Sequence, residues 1–179
     1  ADAAGQLEFR VAATADQFAT IAKLRALRRL WARVPEECGV PEAARGARIH
    51  AVTSPRMMAK VDPHVNMLRV TIATFAAAAG GADAITALPF DHAAGLPTSF
   101  SRRIARNTQV IAAEESHVGR VQDPAGGSWY VESLTDELAK AAWALVQQVE
   151  AAGGIAAALA AGDVAQRIDA VNADRATKL

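Results

Sequence analysis

Cysteine is all but missing from this chain. Cys38 stands alone among 179 residues, which excludes an intrachain disulfide and any cage of cysteines around zinc. A reducing, cytoplasmic setting is the expectation. Charge of one sign is missing too. Nineteen Lys and Arg against nineteen Asp and Glu leave a formal net charge of zero, without the basic surface that holds nucleic acid or an anionic membrane. Long hydrophobic runs are absent: the most apolar stretch, Thr71 to Ala79, falls far short of the roughly 20 residues of a membrane helix. No basic start followed by an apolar core marks a signal peptide. Large apolar residues are modest in number, since 44 of the hydrophobic residues are Ala and Val, Ile, Leu and Phe supply 40. That suffices for a packed interior, and with neutral charge and clear periodicity it argues against disorder. The chain opens Ala1-Asp2-Ala3 without Met, so a processed product or a piece of something longer is expected.

What is present is a repeated β-then-α pattern. Four β-prone runs are read at Leu7–Ala12, Arg48–Val52, Ala84–Leu88 and Val118–Val121. Each leads through a polar or Gly/Pro segment into a helical pattern. The first helix opens at Asp16, carries Ile21, Leu24, Leu27, Trp31 and Val34, and is stopped by Pro35. The second is capped by Asp62 with Pro63 at its first position, has Val65, Leu68, Ile72, Phe75 and Ala79 as its stripe, and ends at Gly80-Gly81. The third is capped at Thr98-Ser99 and carries Phe100, Ile104 and Ile111. The fourth follows a loop from Gln122 to Ser133, is capped near Thr135, and closes at Gly153-Gly154. Helix starts recurring every ~35–45 residues predict an α/β fold with a parallel sheet. A last helix from Ile155 to Val171 and a frayed tail from Asn172 complete the chain. The pattern alone leaves open a doubly wound sheet or four βα units of a barrel, although no Gly-x-Gly-x-x-Gly follows the first strand.

Few residues form a chemical constellation. Asp62-Pro63-His64 approaches the Asp-x-His-x-x-Gly pattern that presents a histidine to the cobalt of cobalamin, but Met67 stands where Gly is required. The helix-cap reading is preferred. Asp91 and His92 are adjacent in a Pro-bounded loop, the wrong spacing for that pattern. Glu114, Glu115 and His117 point in different directions on a helix and read as a solvated helix end or as partners of an arginine such as Arg103 or Arg106. Lys23, Arg25, Arg28, Arg29 and Arg33 give the first helix a positive face, expected to pair with acids on a neighbouring helix. Asn107 lies on an apolar stripe between Ile104 and Ile111 and is expected to be buried, bridging to a loop backbone. Asp123-Pro124-Ala125-Gly126-Gly127-Ser128 lacks the Lys and Thr of a phosphate loop, and reads as a tight corner using two glycines free to take positive φ.

Three segments together carry a resemblance: Ile21-Ala22-Lys23-Leu24-Arg25-Ala26-Leu27-Arg28-Arg29-Leu30-Trp31-Ala32; Arg103-Ile104-Ala105-Arg106-Asn107-Thr108-Gln109 with Glu114-Glu115-Ser116 behind it; and Asp123-Pro124-Ala125-Gly126-Gly127-Ser128-Trp129-Tyr130-Val131-Glu132. In that order and spacing, over about Leu7 to Ile168, the chain resembles the C-terminal half of the substrate barrel of the methylmalonyl-CoA mutase family. The resemblance implies a (β/α)8 TIM-type barrel threaded by acyl-CoA and capped by a separate cobalamin domain. Its members interconvert methylmalonyl-CoA and succinyl-CoA through radicals started by adenosylcobalamin. It divides the chain into a half-barrel of four βα units over 1–154 and a C-terminal helix and tail over 155–179.

The departures point away from catalysis. Catalytic members carry Gln-Thr-Ser-Gly where this chain has Val52-Thr53-Ser54-Pro55, and His-Thr-Asn-Ser-Phe-Asp-Glu-Ala where it has Thr86-Ala87-Leu88-Pro89-Phe90-Asp91-His92-Ala93. Val52, Leu88 and His92 are therefore degenerate cofactor-facing positions. Arg25, Arg29, Asn107, Asp123, Gly126 and Gly127 are retained as structural residues. The chain so resembles the non-catalytic small subunits of heterodimeric mutases. This implies that it binds no cofactor itself, that adenosylcobalamin sits in a catalytic large subunit, and that this subunit is its partner. An acyl-CoA mutase with altered loops is the alternative, and an unrelated binding module requires the motif series to be coincidence. Four strands cut from a barrel are expected to expose edges and an apolar inner face, covered by the missing N-terminal half or by a second copy.

Overall fold

Short β-prone runs alternating with long helical ones give, in the computed structural model, three strands and six α-helices over residues 4–177, the residues described. Strands β1 (Glu8–Ala13), β2 (Arg48–Thr53) and β3 (Ala84–Thr86) form a parallel sheet in the order β1-β2-β3. Glu8 lies opposite Arg48, Ala13 opposite Thr53, and Val52 opposite Thr86. Helix α1 (Gln17–Glu37) joins β1 to β2, α2 (Val65–Ala79) joins β2 to β3, and α3 (Ser99–Val110) follows β3. Because side chains alternate along a strand, Phe9, Val11, Ala13, Ile49, Ala51 and Ile85 share one face. There they enclose a core with Leu24 of α1 and Ala73 and Ala77 of α2. Phe9 meets Trp31 edge to face at 4.8 Å.

The opposite face is not the apolar surface expected of a cut barrel. It carries Glu8, Arg10, Arg48, His50 and Thr86, with His50 Nε2 2.8 Å from Thr86 Oγ1 and Nδ1 3.5 Å from Glu8 Oε1. The fourth strand is also absent among the described residues. Val118–Val121 is turn and bend, entered and left through positive φ at His117 and Asp123. Its Val118 packs with Ile21, Ala76, Ala79 and Val131 on the helical layer. The run contains Gly119, which weakens a strand, and the chain has already turned at His117. The chain thus has three βα units, after which it turns back over α1 and α2.

Helix ends follow local chemistry. Asp16 caps α1, its side chain accepting from the Ala19 N–H, and Thr98 caps α3 through the Ser101 N–H. Pro35 does not stop α1. It is buried in the last turn, and the helix runs on to Glu37, where Cys38 caps it with its N–H to the Val34 carbonyl and Gly39 takes φ +69°. Asp62 is not the cap of α2, because Pro63 and His64 form a preceding turn whose carbonyls accept from Asn66 and Met67. After α3 the chain adds a π-helical turn, Ile111–Glu115. Helix α4 (Trp129–Ala151) begins six residues before Thr135, with Glu132 N–H bonded to the Ser128 carbonyl. The expected last helix is two, α5 (Ile155–Ala161) and α6 (Asp163–Ala176), broken where Gly162 takes φ +81°. Helix therefore continues through most of the expected tail; residues 178–179 lie outside the described residues.

Two compact units divide inside α4, at 139/140. The second comprises the end of α4 with α5 and α6. Leu145, Val149, Ile155, Val164 and Ile168 line a cleft of about 320 Å³ in it. Among the described residues no single helix is long and apolar enough to cross a membrane.

The buried asparagine of the fold is Asn66, not Asn107. Asn107 is exposed, because α3 turns Ser101 and Ala105 inward instead. Asn66 is fully buried: its Oδ1 accepts from Ala59 N–H at 2.9 Å, and its Nδ2 donates to the carbonyls of Ala59 and Phe90 at 2.8 and 2.9 Å. It ties the loops after β2 and β3 to the start of α2. Asn66→Ala leaves those backbone groups without a partner and is expected to cost about 2–3 kcal/mol in urea unfolding. Asn107→Ala should stay within about 0.5 kcal/mol. Equal effects would refute this assignment.

Candidate functional site

In parallel βα folds ligands bind at the C-terminal ends of the strands, and the residues there form the candidate site. Their polar groups are turned toward one another. Ser54 N–H donates to the Ala13 carbonyl at 2.7 Å, stitching β2 to β1. Thr53 is completely buried, and its Oγ1 accepts the Leu88 N–H at 2.8 Å, stitching β2 to the loop after β3. Ser54 Oγ accepts from Arg56 N–H. Lys23 reaches from α1 to donate to the Ala12 carbonyl, and burial pushes its pKa down. Beside these stitches stand Val52 and Leu88, half-buried and without polar side-chain atoms, while His92 is exposed on a short turn, His92–Ala94. His64 stacks on Phe90 with ring centres 5.2 Å apart. Asp91 Oδ2 accepts from both N–H and Oγ1 of Thr98. Burial raises the pKa of Asp91, but hydrogen bonds from Ser101 and Thr98 outweigh it and hold the carboxyl below its ordinary value.

No group of three His, Cys, Asp or Glu among the described residues is arranged to hold a metal. Glu114, Glu115 and His117 are exposed on and just after the π-helical turn.

The strongest charged constellation lies on the helical layer. Arg25 sends Nε and Nη2 to Asp123 at 2.9 and 2.8 Å, in a bidentate fork. Nη2 also reaches Glu132 at 2.7 Å, and Nη1 reaches Glu132 and the Thr135 hydroxyl. These bonds hold its pKa above the ordinary value, and the Arg25 bond, with a further one from Gly127 N–H, pulls that of Glu132 down. The two glycines serve different ends. Gly127 takes φ +80°, whereas at Gly126 a Cβ would lie 2.9 Å from Asp123 Oδ2 and push the carboxylate out of its fork. Arg29 pairs with Asp136 at 3.0 Å, and Arg28 with Asp83 at 3.0 Å while also donating to the carbonyls of Ala47 and Gly81. Arg33 pairs with Glu36 and Glu37 on its own helix. Arg25, Arg29, Asp123, Gly126 and Gly127 are thus brought together in one clamp between α1 and the start of α4, from which Asn107 is excluded.

A family model described as methylmalonyl-CoA mutase matches residues 1–179. The chain belongs to the methylmalonyl-CoA mutase family. It is 66% identical over 174 residues to the methylmalonyl-CoA mutase small subunit of Streptomyces virginiae, a match covering 97% of this chain and 28% of that protein. It is 56% identical to the small subunit from Propionibacterium freudenreichii subsp. shermanii, over 97% of this chain and 27% of that protein. To the methylmalonyl-CoA mutase of Escherichia coli it is 44% identical, over 90% of this chain and 23% of that protein. The chain spans little more than a quarter of the length of these small subunits.

Within this family member, sequence reasoning missed Thr53, Asn66 and Lys23. Thr53 and Asn66 look like ordinary polar residues beside a strand and a turn; the signal was their position at the end of an inward-facing alternation and on the alanine-rich side of α2. Lys23 lies among the arginines in sequence, but it points to the strand end and they do not.

Arg25→Met is expected to lower the melting temperature at pH 7 by roughly 3–10 °C. Glu132 titrates lower in the folded chain than in the unfolded one, so the contribution of its bond is complete above the ordinary carboxylate pKa. It is lost as pH falls through the depressed folded value. Melting curves of both proteins from pH 7 to 3 should therefore converge on acidification; a pH-independent gap would show that the ion pairs contribute nothing.

Proposed function

We propose that this chain is part of the non-catalytic small subunit of an adenosylcobalamin-dependent methylmalonyl-CoA mutase, a cytoplasmic enzyme interconverting methylmalonyl-CoA and succinyl-CoA, and that its partner is the catalytic large subunit. The observation that carries this reading is the contrast in identity: 66% and 56% to two proteins named small subunit, against 44% to one named simply mutase. The three parallel βα units support a place within half of a TIM-type barrel, with residues 1–154 its barrel portion and 155–179 a C-terminal appendage.

The residues at the strand ends do not fit an adenosyl group or an acyl-CoA. Val52 and Leu88 offer no hydrogen bond, and Thr53 Oγ1 is engaged by Leu88 N–H. No step of the rearrangement is therefore assigned to this chain, and adenosylcobalamin is assigned to the large subunit. The clamp of Arg25, Arg29, Asp123, Gly126 and Gly127 serves the scaffold.

Titration calorimetry of the native gene product with adenosylcobalamin and with methylmalonyl-CoA, alone and with the large subunit, tests this. Binding is expected only in the mixture. Stoichiometric acyl-CoA binding by the isolated product would favour a catalytic barrel with altered loops. Because β1 and β3 have no further strand beside them among the described residues, the 179-residue chain by itself is also expected to sediment as a dimer or larger; a clean monomer would refute the need for cover.

A further inference from the structure

Helix α2 has two apolar sides. Toward the sheet it turns Val70, Ala73 and Ala77, all buried. On the other side Val65, Leu68, Ile72 and Phe75 follow heptad a/d spacing, and they are 37%, 67%, 40% and 37% exposed. A helix with apolar residues on two sides packs against something on each. The spacing suits a second helix laid along it.

Geometry limits what lies there. α2 is flanked by α1 on one side and α3 on the other. Further βα units of a barrel add strands beyond β1 and β3 and helices beyond α1 and α3. They extend the helical ring and leave the outward face of α2 bare. The occupant therefore comes from outside the barrel layer.

Charge narrows it further. All four arginines of α1 are paired with carboxylates. α2 and α3 together carry Arg69, Arg102, Arg103 and Arg106 and no acidic residue. Among the described residues none of these four meets a carboxylate: Arg69 donates to Asn66, Arg102 to the Pro97 carbonyl, and Arg103 lies over the Phe100 ring at 5.5 Å. In a chain of zero net charge this is a local positive excess beside an apolar seam.

We infer that the outward face of α2, with the arginines of α3 beside it, is the docking surface for an amphipathic helix of the partner subunit, apolar at heptad spacing and edged with Asp or Glu. The inference rests on the small-subunit reading, whose large subunit supplies that helix. Apolar contact provides the affinity, and the arginines set orientation and association rate.

Hydroxyl-radical footprinting of the native gene product, free and mixed with the large subunit, reads the face directly. Leu68, Ile72 and Phe75 should be oxidised readily in the free protein and protected in the complex. Protection already present in the free protein would mean that its own chain or a second copy covers the seam, and would overturn the inference. Reactivity unchanged by the large subunit would overturn it as well, leaving the small-subunit reading intact. If the two proteins do not associate at all, that reading falls, and this inference with it. As a second arm, Leu68→Asp with Ile72→Asp, both at exposed positions, should weaken association about thirtyfold or more. Arg106→Glu should weaken it less and flatten its salt dependence. Circular dichroism checks that the variants fold; folded variants that bind as the wild type does would refute the surface.

Discussion

The guanidinium of Arg25 joins segments about a hundred residues apart in sequence: it takes Asp123 in a fork, shares a nitrogen with Glu132, and reaches the hydroxyl of Thr135. The returning loop and the first turns of α4 are held to the helical layer near this point. Ile21, Ala76, Ala79 and Val131 provide the apolar contact beneath it, but two of these four are alanines, which bury little area. The orientation of the returning loop and of the first turns of α4 rests on the charged fork, whose planar donors accept one geometry of carboxylate.

The same shortage of bulk explains the rest of the interior. Ala13, Ala47, Ala51, Ala73 and Ala77 account for most of the sheet-facing core cluster, with Leu24 and Ile49 as its large members. Alanine lets helices and sheet approach closely, yet each contributes little hydrophobic free energy. Hydrogen-bonded bridges therefore carry more of the burden of specifying the arrangement. Asn66 fixes two loops, Thr53 fixes β3 to β2, and Asp83 receives both Arg28 and the Ile49 N–H. The larger apolar residues of α2 are spent on its outward side.

Much of this was legible in the residues. Three of four strands, the caps at Asp16 and Thr98, and the glycine stops at Gly80 and Gly154 all follow from local rules. Acid partners for the arginines of α1 were foreseen, although only the structure names Asp123, Glu132, Asp83 and Asp136. What was not legible depended on long-range geometry. Val118–Val121 has the composition of a strand, but the chain has already turned away from the sheet at His117. The stripe on α2 is real, yet periodicity cannot tell which of two apolar sides meets the sheet when the competitor is built of alanine. Asn107 failed for the same reason on α3, where Ser101 and Ala105 are the inward residues. The strand-end positions Val52, Leu88 and His92 were recognised through resemblance, but the engagement of Thr53 by the Leu88 amide was not.

The separation of Arg25 from its acids has a consequence for how the chain is made. When Arg25 leaves the ribosome, Asp123 and Glu132 are 98 and 107 residues away. At about 5–20 residues per second, their arrival takes roughly 5–20 s. The sheet and its first helices emerge earlier and have that interval to assemble without the fork. A nascent chain waiting with a charged guanidinium on α1 is soluble there, whereas an apolar side chain in its place would present a greasy patch for the whole delay. An ionic latch that closes late thus suits a fold in which the returning loop and the start of α4 are synthesised long after the surface they meet.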